Sequence, residues 1–325
     1  MNVSIRQIAK YCDVSIGTVD RVLNDRPGVK HQTKEKVQQA IQTLGYTPNH
    51  IAKSLAVGKS MSIGVILFNL SNTFFAEMSD AIVNRSHDLG YFPYLTLSEK
   101  NPEKEFDCIK DLIARQVDGL ILFSTNYDPA IIDYISSGKI PIVTIMTRLS
   151  NLPSVGINDH AASCDATNYI ANRKYKHIVY ISPPLSYKKH MNISVQEDRL
   201  AGFISAAEKL KINYSIIDNG SYLEQIDNMD INSEKTAFLC SSDMYALKIL
   251  RHMRLKGLQA PFDFGLMGFD NINVLKYIEP AISTVSIPIA DAGMCAVDVL
   301  ISGIVNGSVQ SVVLPHKLIP GQTIL

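Results

Sequence analysis

Apolar residues recur at helical spacing through the first 45 positions and in unbroken runs after Ser62, and this change of period divides the chain. Ser4 with Gln7 makes a capping box, and Ile5, Ile8, Ala9 and Cys12 form one stripe behind it. Ser15 caps a second short helix whose stripe is Val19, Val22 and Leu23. Residues 4–24 therefore read as two short helices joined by a tight turn, a helix-turn-helix pattern. Residues 33–45 supply a third helix, with Thr33 as cap, Val37, Ala40, Ile41 and Leu44 as its buried stripe, and Gly45 as its end. A core shared by these three helices holds the second by its back and leaves Ile16, Gly17, Thr18, Asp20 and Arg21 on the open side. The same stripes would serve any small helical bundle, so the rest of the chain decides the matter.

Pro48 closely follows Gly45, and residues 49–57 could form one more short helix before Gly58, too short to be stable alone in water. From Ser62 the runs SIGVILF, YFPYLTL, DGLILFS, IPIVTIM, HIVYISP, AFLCSS and FGLMGF are of the kind expected of parallel strands buried on both faces. Amphipathic segments such as 76–89 and 103–116 separate them. The reading is an α/β body of doubly wound parallel sheets, and its length and strand count suit two lobes better than one sheet. No internal repeat or low-complexity segment stands out.

The composition of the 325 residues, 46% hydrophobic and 19% charged, is that of an ordinary soluble protein. Its zero net charge hides an asymmetry: residues 1–60 hold 9 Lys+Arg against 4 Asp+Glu, and residues 61–325 hold 22 against 27. A basic head on an acidic body fits a phosphate-binding module joined to something that must not stick to nucleic acid. Cys12, Cys108, Cys164, Cys240 and Cys295 are scattered with no CxxC pair, so neither a zinc site nor a disulfide framework is indicated. The start, MNVSIRQ, has no apolar signal segment and no run of about 18 apolar residues occurs, which leads us to expect a cytoplasmic protein with no membrane partner.

The segments VSIGTVDRVLN, TKEKVQQAIQTLGYTPNHIAKSL, GKSMSIGVI, EDRLAGF, SSDMYALKIL and FGLMGFDN fall in order along nearly the whole chain. In them the chain resembles the lac repressor/gal repressor family of bacterial transcription regulators. The resemblance implies a helix-turn-helix head over 1–48, a hinge helix and linker over 49–60, and a two-lobed, periplasmic-binding-protein-like body over 61–325. Lobe 1 would hold about 61–158 and 288–315, and lobe 2 about 159–284 and 316–325, with crossings near 158–160, 284–288 and 315–317. It further implies a homodimer on an operator in double-stranded DNA, most simply as a repressor, with a small sugar-like effector between the lobes. With the sequence stopping at Leu325, the leucine-rich C-terminal helix that makes some members tetrameric is not expected.

On the DNA side, Arg21 matches the arginine that reaches base edges, where a guanidinium can hold guanine O6 and N7. Ile16 and Gly17 stand at the two positions that usually set operator preference, and neither side chain can hydrogen-bond. Asp20 departs from the usual serine, as a cap or as a partner of Arg21 or Arg26. Thr18, Arg26, Lys30 and Lys34 are candidate phosphate contacts, which position without specifying sequence. Leu55 matches the hinge leucine that wedges between base steps in the minor groove.

On the ligand side, a small molecule is expected at the carboxyl ends of the strands, between the lobes. Asn69 matches a polar contact, and of Phe74 and Phe75 one is expected in the core and one as an aromatic platform. Arg199 matches an effector-clamping arginine, Asp159 a carboxylate by the first crossing, Ser242 and Asp243 a polar loop, and Asp270 an acceptor for hydroxyls. Opposed charges there suit a neutral polyol better than an anion, although a purine or phosphosugar stays open. Two departures stand out: KYKHIVYI replaces a glycine-histidine turn, and Ile287 with Pro288 stands where many members have a glutamine. The sequence lacks GxxxxGK[ST], GxSxG, HExxH and a GxGxxG after the first strand, so an enzyme built on the body, with or without a cofactor, is the weaker reading. A transporter's solute-binding protein is disfavoured by the basic head.

Overall fold

The computed structural model describes residues 3–46, 58–138, 140–149, 152–173, 175–189, 191–231 and 234–325. The chain divides into two compact units, Met1–Ser60 and Met61–Leu325.

In the first unit, α1 (Ile5–Cys12) starts on the expected box: the Ser4 side chain accepts from Gln7 N–H while Gln7 reaches back to Ser4 N–H. In α2 (Ile16–Leu23), Ser15 accepts from Thr18 N–H, so each helix has one of its first orphan donors satisfied. Helix α3 spans His31–Thr43 and begins at Lys30, with no side-chain cap. Thr33 is therefore not the cap expected for it: the extended backbone that precedes a helix lies at Lys30, and Thr33 falls inside the first turn. Ile8, Cys12, Val19 and Val37 are all 0% exposed and form the shared core, with Ile41 and Leu44 half-buried around it. A core this small leaves a domain of marginal stability. Residues 49–57, expected to form the hinge helix and including Leu55, lie outside the described residues.

The second unit holds two six-stranded sheets. The first contains β1 (Ser62–Leu67), β2 (Phe92–Leu97), β3 (Leu120–Leu122), β4 (Ile142–Ile145), β5 (Ser154–Ile157) and β11 (Val312–Leu314), in the order 11-5-4-3-1-2 and parallel throughout. The second contains β6 (His177–Ile181), β7 (Asn213–Ile217), β8 (Thr236–Cys240), β9 (Gly265–Asp270), β10 (Ser283–Ser286) and β12 (Lys317–Ile319), in the order 12-10-9-8-6-7, with only β12 antiparallel to its neighbour. The helices are α4 (Thr73–Asp88), α5 (Pro102–Ala114), α6 (Pro129–Ser136), α7 (Asp159–Ala171), α8 (Ser194–Leu210), α9 (Tyr222–Asp227), α10 (Asp243–Leu255) and α11 (Ile289–Asn306). The chain leaves the first sheet after Ile157, returns to it after Ser286 through α11, and joins the second again after Leu314.

Strand β1 shows why the central strands are apolar without alternation. Ile63, Val65 and Leu67 belong to one buried cluster with Met78 and Ile82 of α4, while Ile66 joins Ile109 and Leu112 of α5 in another. Not every run behaves so: β2 is an edge strand and exposes Phe92, Tyr94 and Leu95. Helix α11 is apolar enough in composition and length to cross a membrane, yet Ala292, Ala296, Val297 and Leu300 are fully buried against the first lobe, beside α4, β4 and β5.

Candidate functional site

In each sheet the strand order reverses between two neighbours, β1 and β3 in the first and β6 and β8 in the second. Crevices open at the carboxyl ends of such pairs, where the loops diverge to opposite faces. After β1 come Phe68 and Asn69, and after β3 come Ser124 and Thr125; after β6 comes Ser182, and after β8 come Ser241 and Ser242. Hydrogen bonds between the lobes tie these ends together. Asn192 N–H donates to Thr125 O (2.8 Å), and Asn192 Nδ2 donates to Arg148 O (2.9 Å) and Thr147 Oγ1 (3.3 Å). Arg148 pairs with Asp198, and on the other flank Asn273 N–H donates to Glu77 Oε1 (2.8 Å).

The floor on the second lobe is built by Arg199. Its Nε donates to Asp159 Oδ1 (2.7 Å), its Nη1 donates to Ser241 O (2.6 Å) and more weakly to Asp270 Oδ1 (3.4 Å), and its plane lies 3.8 Å over the Phe269 ring. One glycine makes this convergence possible. A Cβ on Gly202, one turn after Arg199, would stand 2.1 Å from His160 O, so only glycine lets α8 pack this closely on the first turn of α7, which carries Asp159. Burial works against the Arg199 charge, and Asp159 and Asp270 more than offset it, so the guanidinium is held above its ordinary value. Burial also pushes the Asp270 carboxyl up to about 8, against the pull of Arg199. Asp270 and Asn271 both sit at positive φ, 109° and 59°, strain of the kind that collects at binding sites.

The residues expected here do not all reach the crevice. Asp243 is 0% exposed and occupied: Oδ1 accepts from Thr284 Oγ1 (2.6 Å) and Oδ2 from Ile272 N–H (3.0 Å). It lies beneath the floor as a brace, because α10 starts only two residues after β8 and turns its first side chain inward; burial pushes its carboxyl up to about 7. Ser242 is half-buried and does not cap α10 with its side chain. Asn69 spends its Oδ1 on the turn that starts α4, accepting from Ser71 and Asn72 N–H (3.1 and 3.2 Å). Phe74 and Phe75 are both core, 7% and 6% exposed, so neither is the open platform expected of one of them. The half-buried rings beside them are Phe68 and Phe123, which contact Phe75 at 5.3 and 5.0 Å between centroids. Tyr187, Tyr222 and Tyr245 follow β6, β7 and β8 at the same ends, Tyr222 and Tyr245 in an edge contact of 5.1 Å. The runs SIGVILF and DGLILFS did contain Phe68 and Phe123; only their place at the carboxyl ends of those runs hinted at it. Ile287 is buried, and its N–H donates to Asp270 O (3.3 Å).

The first unit presents a separate surface. Ile16 is 49% exposed and Gly17 and Arg21 are exposed on the face of α2 opposite Val19 and Val22. Thr18 is half-buried against Ser15, their hydroxyls 2.9 Å apart. Arg26 and Lys30 are exposed, and Arg26 Nη1 donates to Asp20 Oδ2 (3.3 Å). Among the described residues no group of three or more His, Cys, Asp or Glu could hold a metal.

Two family models match the chain: "Bacterial regulatory proteins, lacI family" over residues 4–49 and "Periplasmic binding protein-like domain" over residues 167–324. The chain is 30% identical over 334 residues to catabolite control protein A of Priestia megaterium, with 98% of each chain covered. Its fold matches a lac repressor dimer bound to operator and the anti-inducer ONPF with a TM-score of 0.87, at 24% identity over 99% of each chain. It also matches a periplasmic binding protein/LacI transcriptional regulator of Alkaliphilus metalliredigens QYMF complexed with D-xylulofuranose (TM-score 0.71, 22% identity, 82% of this chain and 99% of that one). The chain thus belongs to the lacI family of bacterial regulatory proteins and is a DNA-binding transcription regulator, not an enzyme.

Proposed function

We propose that this regulator grips an operator as a homodimer, most simply to repress, and that a neutral sugar or polyol bound between its lobes controls the grip. The observation that carries the ligand class is the state of Arg199: its Nε and Nη1 already serve Asp159, Ser241 and Asp270. An anionic ligand would have to compete with the Asp159 carboxylate and the Ser241 carbonyl for that cation, whereas hydroxyls can donate to Asp159 and Asp270 and accept from Ser242 without separating charge. Phe68 and Phe123, in place of Phe74 and Phe75, are the rings on which a C–H face would pack, with Asn69 at the rim and Asp243 holding the floor from below. The xylulofuranose complex of a structural neighbour agrees with that class.

The domains are assigned as a head over 1–48, a hinge over 49–60 with Leu55 as its wedge, and a body over 61–325 whose lobes exchange at about 158–160, 284–288 and 315–317. In the head, Ile16, Gly17 and Arg21 meet base edges and Thr18 and Lys30 meet phosphates; its work is in the cytoplasm, on the chromosome. Exposed apolar residues on the body support dimerisation: Phe92, Tyr94 and Leu95 on the edge of the first lobe, and Leu255 and Tyr277, 73% and 84% exposed, on the second. The neighbouring lac repressor structure is a dimer on its operator. Ligand and DNA are coupled through lobe closure: whichever closure the ligand prefers biases the dimer, and the dimer sets the spacing of the two heads.

A thermal-shift screen of the full chain against pentoses, hexoses, polyols, phosphosugars and nucleobases tests the ligand class, because a ligand at about 100 times its Kd stabilises the folded state by about 2.7 kcal/mol. Stabilisation by a neutral sugar or polyol that is lost in Asp270→Asn is expected. Stabilisation by phosphosugars or nucleobases alone would refute the neutral class.

A further inference from the structure

Two carboxylates of the head are occupied by cations. Asp20, half-buried on the flank of α2, accepts from Asn24 Nδ2 at Oδ1 (2.9 Å) and from Arg26 Nη1 at Oδ2 (3.3 Å). Asp25, a turn residue at φ 49°, accepts from Lys34 Nζ (2.5 Å), and Lys34 holds its carboxyl below the usual range. Asp20 and Asp25 are two of the four acidic residues among residues 1–60, the others being Asp13 and Glu35. Their partners Arg26 and Lys34 are two of the cations that the sequence offers to phosphates, and Arg21, the base-edge candidate, is in neither pair.

We infer that Asp20 and Asp25 set the sequence-independent affinity of this head for DNA by keeping Arg26 and Lys34 from counting as phosphate contacts. The inference rests on the DNA-binding reading of α2. Binding to phosphate gains its free energy mainly from released counterions, one for each phosphate neutralised by a protein cation. A lysine or arginine that arrives with its own carboxylate brings no net charge and releases none. If it swings onto a phosphate instead, it leaves a bare carboxylate facing the polyanion, and the balance is the same. Both pairs are solvent-exposed, so neither is needed to hold the fold, and their effect is read at the DNA. The outward face of Ile16, Gly17 and Arg21 keeps its chemistry, so the carboxylates act on the phosphate part of binding while base-edge readout is preserved.

The test is fluorescence anisotropy of the full chain on a random-sequence duplex between about 50 and about 200 mM salt, the range over which phosphate contacts tell. Asp20→Asn with Asp25→Asn should tighten binding by roughly tenfold for each freed cation and steepen the slope of log K against log salt by about 0.9 for each. Arg26→Gln should change the slope little in the parent chain and remove about 0.9 in the Asp20→Asn background, a cycle that isolates the pair. Slopes that stay alike in all variants, with binding intact, would overturn the inference. So would weaker binding of Asp20→Asn, which would make Asp20 a base reader or a scaffold that delivers Arg26 to its phosphate. Absence of salt-dependent DNA binding in the parent chain would defeat the DNA-binding reading itself, a result distinct from either.

Discussion

The head and the body each hold an aspartate on an arginine, and the two pairs have little in common energetically. In the head, Arg26 and Asp20 meet at 3.3 Å with side chains 63% and 43% exposed. In the body, Arg199 and Asp159 meet at 2.7 Å with both side chains 10% exposed. Water and salt screen the first, so it contributes at most about 1 kcal/mol and can be exchanged for a phosphate at little cost. The second has lost its hydration and survives because Ser241 O, Asp270 and the Phe269 ring replace what water supplied. A polar surface that must meet many DNA sequences is built from exchangeable contacts, and a crevice that must select one ligand is built from contacts that hold each other in place.

The contrast fails first, if it fails, at Arg199. Arg199→Met leaves Asp159 and Asp270 buried without their cation, and urea unfolding of the body should show a loss of about 3–5 kcal/mol. A loss below about 1 kcal/mol would mean that the crevice is as wet as the head. Next comes Gly202→Ala, whose methyl would meet His160 O: a cost of about 1–3 kcal/mol is expected, together with loss of ligand stabilisation as α8 lifts away from Asp159. Wild-type stability with intact ligand response would show that the helices have room to spare.

The same contrast extends to pH. Asp270, at about 8 when folded, binds a proton that it does not bind when unfolded, over the window from about 4 to about 8. Stability should therefore fall as pH rises through 6 to 8, by up to about 1.4 kcal/mol per pH unit for that group, and Asp243, at about 7, adds to the slope at the lower end. Asp270→Asn should flatten the profile in thermal melts at several pH values; an unchanged slope would remove Asp270 from the account. The smallest effect belongs to Asp20→Asn, for which the head's melting transition should move by less than about 1 kcal/mol. A larger loss would show that its bond to Asn24 is a structural cap for α2.

Legibility in the sequence followed the range of the interactions. The stripes of α1 and α2 and the Ser4–Gln7 box are local, and the structure bears them out, whereas the start of α3 differs from the sequence expectation because no side chain marks it. The seven long apolar runs are strands, but β5, β7, β10, β11 and β12, with sequences such as SVGI, NYSII and STVS, are too short or too polar to announce themselves without their neighbours. In the crevice, Asp159, Arg199 and Asp270 converge from three elements far apart along the chain, a grouping suggested by family resemblance and not by spacing. Side-chain direction at strand ends depends on the packing around it, so Asp243 turns inward, Phe74 and Phe75 are both core, and the half-buried rings beside them are Phe68 and Phe123. The bonds of Asn192 to Thr125, Thr147 and Arg148 have no signal in the sequence at all, since each crosses between lobes.

Whether the exposed face of α2 reads DNA can be measured by selecting bound sequences from a random duplex library with the full chain and with Arg21→Ala. The parent chain should enrich a palindromic site, and Arg21→Ala, with an unchanged melting temperature for the body, should enrich none or one relaxed at a guanine. Enrichment of the same site by both proteins would contradict base reading by this face.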